Sequence, residues 1–347
     1  MKFQRQTVRE EPTALRPRGQ SYTLQTREVP RHGVRLVVID RARDRVSITP
    51  FHELPSLLNA GDLVVVNDAA TLPASLFGTF GAQSIELRLS APVDGSRLHG
   101  ILFGAGDHHV RTEDRAAPPP IVPGDHLHFG ALDTIVEAIA GRRVTLVAQL
   151  ADDALWQAIY AAGKPIQYAH RPDLLPLYAV QTSYAARPWS VEMPSAGRAL
   201  TWDVLLGLRR AGVELATLTH AAGLSSTGDE GLDHALPWPE RYELPQVTID
   251  KIGRAHRVIA IGTTVVRALE SAGPDLQAGG GIATLRLDPA YRPKVVDALV
   301  SGLHVPGESH FELLSAFAPR PLLVRAIALA GQQGMSGHEL GDACIVL

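Results

Sequence analysis

The sequence predicts an α/β fold interrupted by a strand-only insert, and three observations predict it. Two short, very apolar runs, Val34 to Ile39 and Leu63 to Val66, are bounded by charge and turn residues, as buried strands are. From about Leu72 to Leu150 the texture changes to short alternating stretches separated by Gly, Pro and Asp. No helical period runs through them, so the insert reads as a small β-barrel or sandwich. Beyond Leu150 strand and helix signals alternate again, and the α/β pattern resumes. The chain therefore divides into a discontinuous α/β domain, residues 1–71 and 151–347, around an insert at 72–150.

Within the insert the expected strands are Ser84 to Leu89, Arg97 to Phe103, His126 to Phe129, Thr134 to Ile139 and Arg143 to Leu150. Ala116 to Pro123, with three consecutive prolines, cannot supply strand N–H donors and reads as a connector. Asp152 is placed to cap a helix through Tyr160 that Gly163 ends, and Thr201 to cap another that stops at Gly212. Val213 to Leu218 and Arg257 to Ile261 read as strands, and Gly262-Thr263-Thr264 turns the second into a helix over Val265 to Ala272. Ser309 with Glu312 has the spacing of a capping box for a helix over Phe311 to Ala316, and a last helix covers about Leu322 to Ala330.

Composition narrows the function. With 45% apolar and 20% charged residues the chain is an ordinary globular protein, not a disordered or fibrous one. No apolar run approaches the roughly 18 residues of a spanning helix, and the charged start lacks a secretory signal, which predicts a cytoplasmic protein with no membrane partner. A single cysteine, Cys344, excludes internal disulfides and multi-cysteine metal sites, and reads as a small buried hydrophobe. The net charge is −3, yet residues 1–45 carry eleven Lys or Arg against five acids, +6, leaving −9 for the rest. A basic segment of this kind can contact phosphate backbones or simply be a solvated arm.

The candidate chemistry lies at strand ends. Asn67 and Asp68 follow a very apolar strand, whose carboxyl end is where α/β sheets place ligands. Gly262, Thr263 and Thr264 combine helix-terminal N–H groups with two hydroxyls, suited to an anion or a polar ligand edge. Arg267 and Glu270, three apart on one helix, could hold a ligand carboxylate and a sugar hydroxyl, or form an exposed ion pair. His304, between a strand and a capped helix, could act as acid, base or donor. Asp342, a lone acid beside an apolar C-terminal strand, needs a partner if buried. Ser195 and Gly197, in Pro194-Ser195-Ala196-Gly197, could bring backbone close to a ligand. The histidines His108, His109, His126 and His128 resemble metal-ligand spacing only superficially, and no metal is expected. The sequence contains no Walker loop, no GxGxxG after a strand and no GxSxG elbow.

Taken together, these segments resemble the S-adenosylmethionine:tRNA ribosyltransferase-isomerases of the queuosine pathway from about Arg31 onward. The matching runs are residues 61–68 (GDLVVVND), 181–185 (QTSYA) and 257–264 (RVIAIGTT), followed by Arg267, Leu269 and Glu270. Residues 294–299, His304-Val305-Pro306, 314–317 and Gly341-Asp342-Ala343 complete the order. The resemblance implies a discontinuous S-adenosylmethionine-binding domain interrupted by a β-barrel. It also implies S-adenosylmethionine as substrate, with no cofactor or metal besides. Its ribosyl part would be isomerised and joined to a 7-aminomethyl-7-deazaguanine base in tRNA, releasing adenine and methionine. His304, Asp342 and Glu270 become candidate catalytic residues. Asn67, Asp68, Ser195, Gly197, Gly262, Thr263, Thr264 and Arg267 become candidate substrate contacts, with tRNA meeting the basic N-terminal segment.

The family pattern is not kept everywhere. Two family arginines are Ala70 and Ser75 here, and the Pro-Thr-Ala-Gly-Leu-His-Phe stretch ends in Arg198-Ala199-Leu200. A further family histidine falls on Ala221, with His220 one place off; a His-rich segment ending in Glu-x-Tyr is reduced to His234 and Glu240. Ser301-Gly302-Leu303 replaces Thr-Asn-Phe. The losses fall on polar residues. They leave room for two other readings, a paralogue using S-adenosylmethionine with a non-tRNA acceptor and a non-catalytic binding protein.

Overall fold

The computed structural model describes residues 24–169 and 173–347. The chain enters a hairpin, β1 (Arg35–Asp40) and β2 (Arg45–Pro50), turned by Asp44 at φ 50°. A short helix α1 (Leu54–Leu57) leads to β3 (Leu63–Asn67), every residue of which is buried. Burial on both faces explains why β3 shows a continuous apolar run rather than alternation. The edge strand β2 is half-exposed, and its mixed pattern gives no strand signal.

After β4 (Ala69–Thr71) the chain leaves for the insert, which forms β5 (Ser75–Phe80), β6 (Gln83–Leu89), β7 (Arg97–Phe103), β8 (His126–Phe129), β9 (Leu132–Ala140) and β10 (Arg143–Ala148). These six close into a barrel in the order β5-β6-β7-β10-β9-β8, β8 returning to β5 through Thr79 and His128. It is a barrel, not a sandwich. The closing strand β5 is not among those expected from the sequence. Its Gly78 is required at the seam, because a Cβ there would lie 2.1 Å from the His128 carbonyl oxygen. Inside sits an ionic network: Glu86 accepts from Ser75 Oγ (2.7 Å), Arg88 Nε (2.8 Å) and Arg115, and both arginines lie over Phe103. Ser75, standing where the family pattern has an arginine, is thus part of the barrel interior.

Helix α2 (Asp152–Ala162) packs on the barrel, and β11 (Gly163–Lys164) adds to β5, so strand pairing of the barrel sheet extends past residue 150. Asp152 does not cap this helix. It is the first helical residue, at φ 48°, and no side-chain capping bond forms. Strand β12 (Arg187–Ser190) pairs with β4, while the Gln181 amide donates to Thr71 O (2.8 Å) and accepts from Thr71 N (2.9 Å). The rest of the chain supplies α3 (Trp202–Arg210), β13 (Glu214–His220), α4 (Glu230–Asp233), β14 (Glu240–Leu244), α5 (Gln246–Ile252), β15 (Val258–Ile261), α6 (Thr263–Ala272), β16 (Gly279–Ala283), β17 (Ala298–Gly302), α7 (Ser309–Leu314), α8 (Arg320–Gln332) and β18 (Ala343–Val346). Ser309 begins α7 but does not cap it. Glu308 holds that position, its carboxylate accepting from Val305 N (3.1 Å).

The main sheet has nine strands in the order β16-β14-β13-β3-β15-β17-β18-β1-β2, with β13, β3, β15 and β17 parallel. Helices cover both faces. Leu63 and Val65 of β3 join a core with Val265, Leu269 and Leu323, while Val64 and Val66 face Val204 and Leu208 of α3. Because β18 runs antiparallel to β17, its beginning meets the end of β17, pairing Gly302 with Ala343. One edge of the sheet therefore gathers Asn67, His220, Gly262, Gly302 and Asp342. Cys344 is buried in β18, and burial pushes its thiol up to about 12. No helix among the described residues is long and apolar enough to cross a membrane.

Candidate active site

The carboxyl ends of parallel strands leave backbone groups unpaired, and in open α/β sheets ligands bind there. At this edge Asn67 is buried and ties two strands together. Its Oδ1 accepts from Ala69 N (3.0 Å) and His220 N (2.9 Å), and its Nδ2 donates to His220 O (2.9 Å) and to Thr264 Oγ1 (3.4 Å). Asp68 accepts from Thr219 Oγ1 at 2.6 Å and is half-buried. Gly262, at φ 91°, makes the turn from β15 into α6, where Thr263 and Thr264 form the first helical turn.

One helical turn further, Arg267 points inward rather than to solvent. It is 5% exposed, forms an ion pair with Glu240, and donates to the carbonyls of Trp238 (3.2 Å), Ala283 (3.2 Å) and Leu285 (3.2 Å). Burial, with Arg286 nearby, lowers its guanidinium to about 10, so it stays charged at neutral pH. Glu240 also accepts from Gly223 N (2.6 Å) and lies 3.4 Å from His220 Nε2. His220 is fully buried with neither ring nitrogen hydrogen-bonded. Burial and the Arg267 charge push it down to about 3, which makes it a neutral imidazole at pH 7. Sequence reasoning places His220 one position away from a functional role and sees Glu240 only as a remnant. The signal that joins them is the antiparallel pairing of β13 with β14, which sets His220 opposite Tyr242.

Glu270 does not share a ligand with Arg267. Its carboxylate, 5% exposed, accepts from Tyr291 Oη (2.9 Å), Lys294 N (2.9 Å), Val295 N (3.0 Å) and Val296 N (2.9 Å). These are the residues that lead into β17, at the opposite end of the sheet from Asn67. Asp342, 2% exposed, accepts from Arg35 N (2.8 Å), Arg35 Nη2 (3.0 Å) and Ser336 N (2.9 Å). Both acids have the partners a buried carboxylate requires.

His304 lies just past β17, with Nδ1 3.2 Å from Glu308 Oε2 and its ring stacked on His310 at 4.6 Å between centroids. Burial, followed by the effect of His304, lowers His310 to about 3. Ser195 and Gly197 occupy the loop after β12, and Gly197 is required because a Cβ would meet Tyr184 Oη at 2.0 Å. Ser195, Gly302, Glu339 and Asp342 line a cavity of about 20 Å³, room for a single water. A larger cleft, about 850 Å³, opens between Glu113 of the insert, the segment Ser226–His234 and the start of α7 at Gly307, Ser309 and Glu312.

The histidines of the insert behave differently from one another. His126 and His128 are exposed on β8, whereas His108 is buried beside Asp107 and His109, their ligand atoms within 4.8 Å of one another. The basic N-terminal segment is only partly described, since Lys2, Arg5, Arg9, Arg16 and Arg18 lie outside the described residues. Of the remainder, Arg31, Arg35 and Arg41 donate to carbonyls of the fold, and Arg43 pairs with Asp40. The first three serve as internal ties, whereas Arg43, its side chain 79% exposed, lies on the surface of the hairpin.

The family model for "Queuosine biosynthesis protein" matches residues 19–346. This chain belongs to that family. Among its relatives is the S-adenosylmethionine:tRNA ribosyltransferase-isomerase of Sorangium cellulosum, 32% identical, with 91% of this chain and 92% of the relative covered. A Thermus thermophilus protein of the same name is 33% identical over 92% of this chain and 94% of its own. Among solved structures, an S-adenosylmethionine tRNA ribosyltransferase from Thermotoga maritima matches with a TM-score of 0.50 at 24% identity. It covers 94% of this chain and 96% of that one, a likeness of fold.

Proposed function

We propose that this protein is an S-adenosylmethionine:tRNA ribosyltransferase-isomerase. It moves the ribosyl part of S-adenosylmethionine to a 7-aminomethyl-7-deazaguanine base in tRNA, with release of adenine and methionine. The observation that carries the reading is the extent of the match, since relatives of that name align over about nine-tenths of both chains. No metal or further cofactor enters the reading, and the enzyme would work in the cytoplasm, where tRNA is.

The site supports it chemically. A sulfonium substrate needs a polar clamp for its methionine end, groups near the departing adenine and a proton acceptor near C5′. The first turn of α6, with Gly262, Thr263 and Thr264, offers N–H groups and hydroxyls to the carboxylate of the methionine end. Ser195, Gly197 and Asp68 border the same edge, and His304, just past the end of β17, keeps partial exposure, its side chain 21% accessible. Arg267 serves this site through Glu240 and His220, while Asn67 fixes the two strand ends that carry it. Glu270 and Asp342 act in this reading as anchors of backbone, the first before β17 and the second before β18, rather than as proton-transfer groups. The carboxylates around the larger cleft, Glu113, Glu230, Asp233 and Glu312, suit a cationic group such as the aminomethyl arm of the acceptor base. Contact with tRNA phosphates falls to the N-terminal residues ahead of Leu24.

The test is to incubate the purified protein with S-adenosylmethionine and tRNA and to follow adenine and methionine by chromatography. Release only with precursor-bearing tRNA is expected. Release without tRNA would instead indicate a different acceptor, and no release would favour a binding protein.

A further inference from the structure

The reaction proposed above needs a group to accept a proton from the carbon attached to the sulfonium, and the acids nominated by the sequence are closed to it. Glu270 and Asp342 have their oxygens occupied by the N–H and O–H donors described above. His220 is sealed inside the protein. One further carboxylate, beside the loop that carries Ser195 and Gly197, has a different arrangement.

Glu192 follows β12 and precedes Pro194-Ser195-Ala196-Gly197. Its Oε1 accepts from Tyr168 Oη, from Ser225 N (2.8 Å) and from Ser225 Oγ (3.2 Å). Tyr168 and the Ser225 backbone fix one oxygen, the single Ser225 hydroxyl proton being shared between that oxygen and Tyr168 Oη, and Oε2 receives no hydrogen bond from the described residues. The ring of Tyr168 is backed by the Arg88 guanidinium of the barrel, 5.7 Å from its centroid. Ser225 Oγ also lies 2.9 Å from Tyr168 Oη, so both donors are held by each other. From the other side comes the charge of Glu339, which lines the small cavity with Ser195 and Gly302. Burial raises the Glu192 carboxyl to about 7; the hydrogen bonds from Tyr168 and Ser225 oppose the rise and Glu339 adds to it. A carboxylate so placed is a stronger base than a solvated one and is still ionised in part at neutral pH.

We propose that Glu192 is the proton acceptor of the reaction, a catalytic residue oriented by Tyr168 and Ser225. The inference rests on the functional reading given above. In the step, the C5′–H bond breaks, the proton forms a bond to Glu192 Oε2, and the electron pair stays on C5′ beside the positive sulfur. No electron is gained or lost, and the proton remains on Glu192 until the site discharges it. Tyr168 and Ser225 are positioning residues, since they act on the step only through the carboxylate they hold.

The experiment uses the full-length protein with S-adenosylmethionine and precursor-bearing tRNA. Glu192→Gln should lower kcat at least 100-fold, the scale of a lost general base, with KM for S-adenosylmethionine changed less than threefold. Tyr168→Phe gives the second readout. Losing the phenol removes a hydrogen bond to the charged form, so the inflection on the acidic limb of the kcat profile should move to higher pH while activity on the plateau survives. A merely structural role for Tyr168 would not move that inflection. The proposal is overturned if Glu192→Gln keeps kcat within threefold of the parent, or if the inflection stays in place in Tyr168→Phe. Should the parent protein release no adenine with this tRNA, the functional reading fails and the proposal with it, whereas an active parent matched by Glu192→Gln refutes the proposal alone.

Discussion

Replacing Glu270 separates an anchoring acid from a catalytic one. Its carboxylate receives four hydrogen bonds, three of them from the consecutive backbone N–H groups of residues 294–296. Each buried donor left without an acceptor costs about 1–3 kcal/mol. Glu270→Leu orphans three, and with partial entry of water the loss should be about 3–6 kcal/mol. Glu270→Gln is milder. Its amide oxygen can keep Val295 and Val296, but its NH2 then faces the Lys294 N–H donor, so about half the loss, roughly 2–3 kcal/mol, is expected. At about 2–4 °C per kcal/mol for a domain of this size, Gln should lower Tm by roughly 4–12 °C. Differential scanning calorimetry measures this, with kcat taken well below the transition. A Gln variant with unchanged Tm and kcat reduced 100-fold would refute the anchoring account and return Glu270 to the chemistry.

Other outcomes follow from the same structure. Asp342→Asn should lower Tm by several degrees with kcat retained, since Arg35 and Ser336 lose their charged acceptor; loss of kcat at constant Tm would contradict this. His220 and His310 are held well below the usual imidazole value, so between about pH 3 and 6.5 the unfolded chain binds more protons than the folded one. Stability should therefore climb with pH across that window and level off above it, and urea titrations should show a shallower climb for His220→Asn. If tRNA meets the N-terminal residues, Arg16→Ala with Arg18→Ala should weaken tRNA binding and flatten its salt dependence, with S-adenosylmethionine binding unchanged; a parent whose tRNA affinity ignores salt would contradict that role.

What the sequence revealed follows from which forces leave a local signature. Burial on both faces of a parallel strand produces the unbroken run of Leu63 to Val66, and Gly262-Thr263-Thr264 marks a strand-to-helix turn without help from the rest of the fold. The rule that ligands gather at carboxyl strand ends pointed to Asn67 and Asp68, and Asn67 does meet Thr264 of the strand-to-helix turn. The strands β2 and β5 were missed, one because an edge strand need not be apolar, the other because Gly78 serves a seam formed with β8, far along the chain. Ser309 had the spacing of a cap, but the helix begins one residue earlier than that spacing needs, so Glu308 holds the cap position and its carboxylate turns back to Val305 N. The partners of Glu270 and Asp342 include backbone N–H groups, which no residue type announces, so the need of Asp342 for a partner was legible but the partners of both acids were not. Glu192 was invisible for a related reason: Tyr168 and Ser225 reach it from 24 and 33 residues away.

On the function proposed, this chain modifies a tRNA base at the expense of S-adenosylmethionine. The most direct measurement is mass spectrometry of the nucleosides recovered from precursor-bearing tRNA after incubation with the protein and S-adenosylmethionine. The 7-aminomethyl-7-deazaguanosine peak should be replaced by one heavier by the epoxycyclopentanediol unit, with label from the S-adenosylmethionine ribose in the added mass. An unchanged precursor peak, in tRNA that a known ribosyltransferase-isomerase converts under the same conditions, would contradict it.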